Sequence, residues 1–197
     1  MGTSDTRVAR WFAIAAHGDQ MYGQHPYSYH LDDAVNELID HVIELPVLRF
    51  YDHQVIMCAT YLHDVLEDTE TSIKALDGLF EEPIGELVRA VSDGPGKNRK
   101  ERKKGVYKAI QGVGPAALAV KLADRLANAK TAGLAKGESD LLKMYRKEQT
   151  DFEMELCGEV APWYAPSQKL HGFLPAFRKI REYLGMTPWQ QKIDVTP

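Results

Sequence analysis

The segment Tyr61-Leu62-His63-Asp64-Val65-Leu66-Glu67-Asp68 sets an imidazole and three carboxylates within a few residues of one another. An imidazole nitrogen beside a hard carboxylate suits Mn²⁺, Fe²⁺, Zn²⁺ or Co²⁺. If a helix continues through the segment, His63 and Glu67 share a face at i,i+4, and so do Asp64 and Asp68. Three acids so crowded repel one another and raise their own pKa values unless a cation lies among them. A solvated acidic face would use the same residue types. The approach to the segment, Val55-Ile56-Met57-Cys58-Ala59-Thr60-Tyr61-Leu62, is apolar and reads as buried. Acids emerging from a buried helix point towards a divalent-cation site.

Two further segments carry matching chemistry. Ala15-Ala16-His17-Gly18-Asp19-Gln20 is followed by Pro26-Tyr27-Ser28-Tyr29-His30-Leu31, which places His30 at the start of a helix. Val120-Lys121-Leu122-Ala123-Asp124-Arg125-Leu126-Ala127-Asn128 sets Asp124 within an apolar helix. The chain order H … HD … D reads as a metal-site constellation gathered from three helices. His17 reads as a packed residue, while His25, His41, His53 and His171 have no partner pattern. The run Lys97–Lys104 holds six cations against one acid, either a solvated helix face or a local anion-binding edge. No aromatics interleave with it as stacking platforms, which speaks against nucleic acid. Gly112-Val113-Gly114-Pro115 lacks the Lys-Ser/Thr of a phosphate-cradling loop, and neither cysteine has a histidine pattern for nucleophilic work.

The elements that must position these residues are helical nearly throughout. Val8, Trp11, Phe12 and Ala15 recur at helical steps behind a cap at Ser4 or Asp5. Leu31, Ala34, Val35, Leu38, Ile39 and Val42 form a second stripe, and Val55, Ala59 and Leu62 a third that presents His63 near its C-terminal end. Thr71 or Ser72 caps a short helix, and Pro83 opens the next. Gly94-Pro95-Gly96 and Gly112–Pro115 are breaks. Apolar helices are expected over Ala116–Leu134 and Ser139–Cys157, and a last one, after Pro162–Pro166, carries Leu174, Phe177, Ile180 and Leu184. No alternating strand pattern and no internal repeat is evident.

With 197 residues, 44% of them apolar and 26% charged, the chain can form one core, which excludes a disordered or fibrous protein. The expectation is an all-α bundle of about eight helices in a single domain, residues 1–197. The net charge of −4 provides no overall field for nucleic acid or anionic membrane. The Met1–Asp5 start has no leader pattern and no long uncharged apolar run occurs. A cytoplasmic protein with Cys58 and Cys157 as reduced thiols is expected, without membrane or nucleic-acid partners.

The stretches AHGDQ…PYSYH, LHDVLEDT, ERKK and KLADRLANAKT together resemble the HD-domain phosphohydrolases, specifically the hydrolase domain of RelA/SpoT-type proteins and the small alarmone hydrolases. The resemblance runs from about Phe12 to Phe152. It implies the HD-domain helical bundle, with His30, His63, Asp64 and Asp124 as ligands of one metal, Mn²⁺ as a rule in the family. Glu67 and Asp68 then correspond to the pair that orients and deprotonates the attacking water. The implied reaction removes the 3′-pyrophosphate of guanosine tetra- or pentaphosphate to give GDP or GTP. Asn128 and Thr131 match positions near ribose and phosphates. By the same resemblance Arg99 is the best phosphate-binding candidate, and Arg146, on the helix after that of Asp124, is a second one. Where the family has Arg and Lys packing on the guanine, this chain has Met21-Tyr22-Gly23-Gln24, so Tyr22 can stack on a base but supplies no charge. That departure leaves another nucleotide, such as NADPH or a nucleoside phosphate, as an alternative substrate. A non-catalytic nucleotide-binding module is the remaining alternative, disfavoured by the intact Glu67 and Asp68. No synthetase domain follows, so a hydrolase alone is expected. Residues 158–197 lie beyond the match and are expected to pack as a bundle helix or a homodimer contact.

Overall fold

Short polar residues start most of the helices in this computed structural model, which describes residues 2–94, 96–135, 137–157 and 172–187. Asp5 caps α1 (Thr6–His17) by accepting from the Arg7 N–H at 2.9 Å. Gly18, at φ 54°, ends it in a conformation that disfavours a side chain. The chain then forms a two-residue antiparallel ribbon, β1 (Met21–Tyr22) with β2 (His25–Pro26), in which Tyr22 pairs with His25. Gly23, at φ 62°, makes that turn. Sequence periodicity gives no sign of so short a ribbon, because two residues cannot show an alternation.

After α2 (Ser28–His41), a 3₁₀ turn at Pro46–Leu48 leads to α3 (His53–Leu62), capped by Asp52. Next come α4 (Val65–Asp68), α5 (Ile73–Leu79) capped by Ser72, and α6 (Glu82–Val91) with Pro83 in its first turn. Asn98 caps α7 (Arg99–Val113). The chain ends, among the described residues, with α8 (Pro115–Leu134), α9 (Asp140–Cys157) and α10 (Leu174–Tyr183). The all-α bundle is as expected. Among the described residues ten α-helical segments form rather than about eight, and the separation of α3 from α4 accounts for one of the two added.

The third helix ends beside His63 as expected, and it does not continue through the HD segment, so His63 and Glu67 do not share one helical face. The His63 ring Nδ1 donates to the Thr60 carbonyl at 2.7 Å, the group a continuing helix would use for the Asp64 N–H. The helix stops at Leu62, and the Glu67 and Asp68 N–H groups both return to the Asp64 carbonyl.

Alanine-rich α8 runs through the middle, packed against α2, α3, α6, α7, α9 and α10. Ala117, Ala119, Ala123, Ala127 and Ala129 are fully buried on it, so neighbouring helices approach closely, and Leu118, Leu122 and Leu126 fill the gaps. Each buried leucine stabilises the fold by roughly 1.5–3 kcal/mol. In α1 the expected stripe is displaced. Trp11 is 65% exposed and Val8 also faces solvent, while Ala9 and Ala13 form the buried face. The helix lies so close to α3 that small residues occupy the contact and large ones fall at its rim. Ile39 is likewise exposed, and α2 instead buries Asp33 and Glu37, both bridged by the Lys130 ammonium at 2.6 and 2.8 Å. Leu174, Phe177, Ile180 and Leu184 are buried as expected. Cys58 is buried and its thiol donates to the Ser4 carbonyl. The Cys157 side chain, His171 and the Pro162–Pro166 stretch lie outside the described residues. No helix among the described residues is long and apolar enough to cross a membrane.

Candidate metal centre and cleft

Four side chains from three places in the chain converge at one buried point. His30 comes from the first turn of α2, His63 and Asp64 from the break between α3 and α4, and Asp124 from the middle of α8. Nε2 of His30 and Nε2 of His63 lie 3.2 Å apart. Asp64 Oδ2 is 2.9 Å from His63 Nε2 and 3.4 Å from His30 Nε2, and Asp124 Oδ1 is 3.6 Å from each. Ligands held ~2.1 Å from a shared cation stand roughly 3.0–3.4 Å from one another, so the donor set has the right size. Its protonation points the same way. Because His63 Nδ1 carries the proton donated to Thr60, Nε2 is the atom that faces the carboxylate oxygens, and it can offer a lone pair to a cation or, without one, hold a second proton. The point therefore requires positive charge. Burial alone would lower the His63 pKa, but Asp64 and Asp124 outweigh it and hold it well above the ordinary value. Burial likewise opposes ionisation of Asp64 and Asp124, yet the two histidines keep Asp64, and Lys121 with His63 keep Asp124, well below the carboxylate range. Among the described residues His30, His63 and Asp124 form a group able to hold a metal ion, and Asp64 Oδ2, which reaches both histidines, adjoins it.

The centre forms one wall of a cleft of about 280 Å³. Glu67 and Asp68 stand on its rim. The Asp93 N–H donates to Glu67 Oε1 at 2.8 Å. The cleft walls desolvate the Glu67 carboxyl and push it up to about 6, against the pull of the Lys121 ammonium. Lys121 also lies 3.0 Å from Asp124 Oδ2. Burial opposes its charge, but Asp124, Glu67 and Asp64 raise its pKa further.

The far end of the cleft is cationic. Glu148 on α9 accepts from Arg99 at 3.0 Å and from Lys103, both on α7, and lies 3.6 Å from Arg125. Three cations thus share one carboxylate. The Arg125 guanidinium is buried against the Tyr145 ring at 4.4 Å and bonds the neutral Gln149 and Tyr145 oxygens.

Of the residues expected at a site, the structure brings His30, Asp64, Glu67, Asp68, Arg99, Asp124, Asn128 and Tyr22 to this cleft, with His63 buried just behind the wall. Thr131 stands behind Tyr22, close to its hydroxyl. Tyr22 donates to Asn128 at 2.7 Å and stacks on His30 at 4.5 Å, so one of its faces is already covered. Arg146 is not brought to the cleft; its guanidinium donates to the Leu184 carbonyl at 2.6 Å and to Glu138. That position braces α9 against the end of α10.

In the sequence Tyr27, Lys121, Arg125 and Glu148 carry no assigned role, and Lys103 is one cation of the basic run Lys97–Lys104. Tyr27 donates to Asp64 at 2.7 Å, and Asp68 lies 3.0 Å from the same hydroxyl. The i,i+3 spacing of Tyr27 to His30 and of Lys121 to Asp124 were the available signals. Nothing local marks Glu148, whose partnership with Lys103 joins two helices far apart in sequence. His17, expected to be packed, is buried and stacks on Tyr27 at 4.0 Å.

The helical bundle defined so far is shared by known proteins. A solved structure described as a metazoan ortholog of SpoT that hydrolyzes ppGpp aligns with 94% of this chain and 96% of its own, with a TM-score of 0.66 at 19% identity. The chain thus has the fold of that protein. In sequence it is similar to guanosine-3′,5′-bis(diphosphate) 3′-pyrophosphohydrolase of Aquifex aeolicus (strain VF5), 32% identical over 115 residues, 57% of this chain and 16% of that one. It is also similar to the pyrophosphohydrolases MESH1 of Drosophila melanogaster, 33% identical over 48% of this chain and 52% of that one, and of Mus musculus, 29% identical over 65% and 70%. The matches thus span 16% of the bacterial relative and about half of the fly protein. No family model matches the chain.

Proposed function

We propose that the chain is a metal-dependent hydrolase that removes the 3′-pyrophosphate from guanosine-3′,5′-bis(diphosphate) or its pentaphosphate counterpart. The observation that carries this reading is the polarity of one cleft, with a four-donor cation centre at one end and three cations around a single carboxylate at the other. A substrate with pyrophosphate groups at two positions matches that spacing of charge. The names of the sequence relatives supply the particular substrate.

In this reading His30, His63, Asp64 and Asp124 hold one divalent ion, Mn²⁺. When bound, the ion lowers the pKa of a water and polarises a phosphoryl oxygen. Glu67 takes the proton of the attacking water, for which a carboxyl at about 6 is suited near neutral pH. Asp68 holds that water in line. Lys121 balances Asp124 and Glu67 so that the acids stay ionised side by side. Arg99, Lys103 and Arg125 neutralise the remote phosphates, Arg99 in the bidentate manner open to a guanidinium. Asn128, Thr131 and Tyr22 border the nucleoside. We further read residues 1–197 as one domain acting in the cytoplasm on a small-molecule nucleotide, without nucleic-acid or membrane partners. The homodimer contact expected of the C-terminal segment falls mainly on residues outside the described ones.

One observation favours a second substrate. Tyr22 is stacked on His30 and presents no charge to a base, so guanine is less constrained than the phosphates. The deciding experiment compares kcat/KM for guanosine tetraphosphate, GTP and NADPH with Mn²⁺ present. A clear preference for the tetraphosphate supports the proposal. Turnover of NADPH or GTP alone would keep the centre and replace the substrate, and binding of all three without turnover would make the chain a nucleotide-binding module.

A further inference from the structure

The Tyr27 hydroxyl carries one proton and faces two carboxylates. It lies 2.7 Å from Asp64 Oδ2, which belongs to the cation centre, and 3.0 Å from Asp68 Oδ2, which does not. A single O–H donates well to only one of them at a time. The ring cannot follow one acceptor away from the other. It stacks on His17 at 4.0 Å and meets the edge of His30 at 5.7 Å. His17 is buried and donates through Nδ1 to Gln20 at 2.8 Å, and Gln20 in turn donates to the Asp68 backbone carbonyl at 2.6 Å.

Asp68 needs this support. It ends a helix of one turn, α4, which cannot hold a side chain in place by itself. Both the carbonyl and the carboxylate of Asp68 are reached instead from the end of α1 and the start of α2. From this geometry we infer that Tyr27 is the positioning residue for Asp68, its O–H shared between Asp64 and Asp68 and turned to Asp68 once Asp64 is engaged by a cation. The physical cause is competition for one proton. A cation draws electron density from Asp64 Oδ2 and makes it the weaker acceptor, and a small rotation about the C–O bond then gives the proton to Asp68. Loading of the centre thereby fixes the carboxylate that holds the water. The inference rests on the proposed role of Asp68 at the water.

Tyr27→Phe removes the O–H and keeps the ring on His17. Two measurements test it, turnover of guanosine tetraphosphate and Mn²⁺ affinity by calorimetry, each in a cycle with Asp68→Asn. We expect Tyr27→Phe to lower kcat at least tenfold with KM within about twofold, and to cost nothing further in the Asp68→Asn background. Mn²⁺ affinity should change less than about threefold in Tyr27→Phe alone. Asp68→Asn should weaken Mn²⁺ binding at least threefold more with Tyr27 present than without it. An unchanged kcat, additive losses in turnover, or additive effects on Mn²⁺ affinity would overturn the inference. A kcat restored by excess Mn²⁺ would also overturn it, because Tyr27 would then serve Asp64 as a ligand support. If the wild-type chain does not act on the tetraphosphate, the substrate reading fails alone and the Mn²⁺ cycle still decides the role of Tyr27.

Discussion

In the proposed role Glu67 accepts a proton only when ionised, and the cleft pushes its carboxyl up to about 6 from the ordinary glutamate value. The sign follows directly: below about 6 the carboxyl is protonated and cannot accept, so kcat/KM should fall about tenfold per pH unit on the acid side and level off above it. A pH–rate profile checks this. Glu67→Gln should lower kcat by roughly 10²–10⁴ and abolish that acid limb, while Mn²⁺ affinity stays near wild type because Glu67 lies outside the donor set. At this scale the sequence spoke clearly for the residues whose types are rare and adjacent, His63-Asp64 with Glu67-Asp68. It was silent on Tyr27 and Lys121, because a tyrosine or lysine near a ligand has many ordinary uses. Their meaning here lies in where the side chain ends, 2.7 Å from Asp64 for one and 3.0 Å from Asp124 for the other.

Helices α7 and α9 meet through Glu148, which gives their packing a pH dependence. Burial alone would raise the Glu148 pKa, but Arg99 and Lys103 hold it below the ordinary glutamate value. A carboxyl lowered in the folded state stabilises the fold above its unfolded pKa, and that contribution is lost as the pH falls through the folded value. Thermal melts should therefore decline below about pH 4.5, and Glu148→Gln should flatten that decline while lowering Tm at pH 7. A steric prediction belongs to the same scale. Gly133 on α8 meets the Tyr183 carbonyl of α10 so closely that a Cβ finds no room. Gly133→Ala should destabilise the chain by about 1–3 kcal/mol through overpacking, measurable as a lowered denaturation midpoint. Helix existence was legible from periodicity at almost every element, including α10. Faces were less so. In α1 a stripe through Trp11 was as regular as the true face through Ala9 and Ala13, and only the distance to α3 separates the two. That the third helix ends near His63 was legible, but the cause of the break, the His63 side chain taking a backbone carbonyl, was not.

Across the whole molecule, α8 supplies the rigid reference on which the centre is built, with Asp124 flanked by fully buried Ala123 and Leu126. The proposed donors come from elements that only the folded chain brings together, so cation binding there would be coupled to folding. Mn²⁺ at about 100 times its dissociation constant should add roughly 2.7 kcal/mol to stability, seen as a rise in Tm of about 5–11 °C that Asp124→Ala removes. The net charge of −4 conceals the feature that matters, an acidic wall and a cationic wall facing each other across one cleft. The basic run of α7 was visible in the sequence, but its direction was not. Arg99 and Lys103 line the cleft, whereas Arg102 pairs with Asp93 at 2.8 Å and Arg146 lies elsewhere. The most direct test of the account is pyrophosphate release from guanosine tetraphosphate by chelator-treated protein, before and after Mn²⁺ is restored. The account predicts equal amounts of pyrophosphate and GDP only with Mn²⁺, and none from Asp64→Ala. No release from protein shown by calorimetry to hold Mn²⁺ would contradict it.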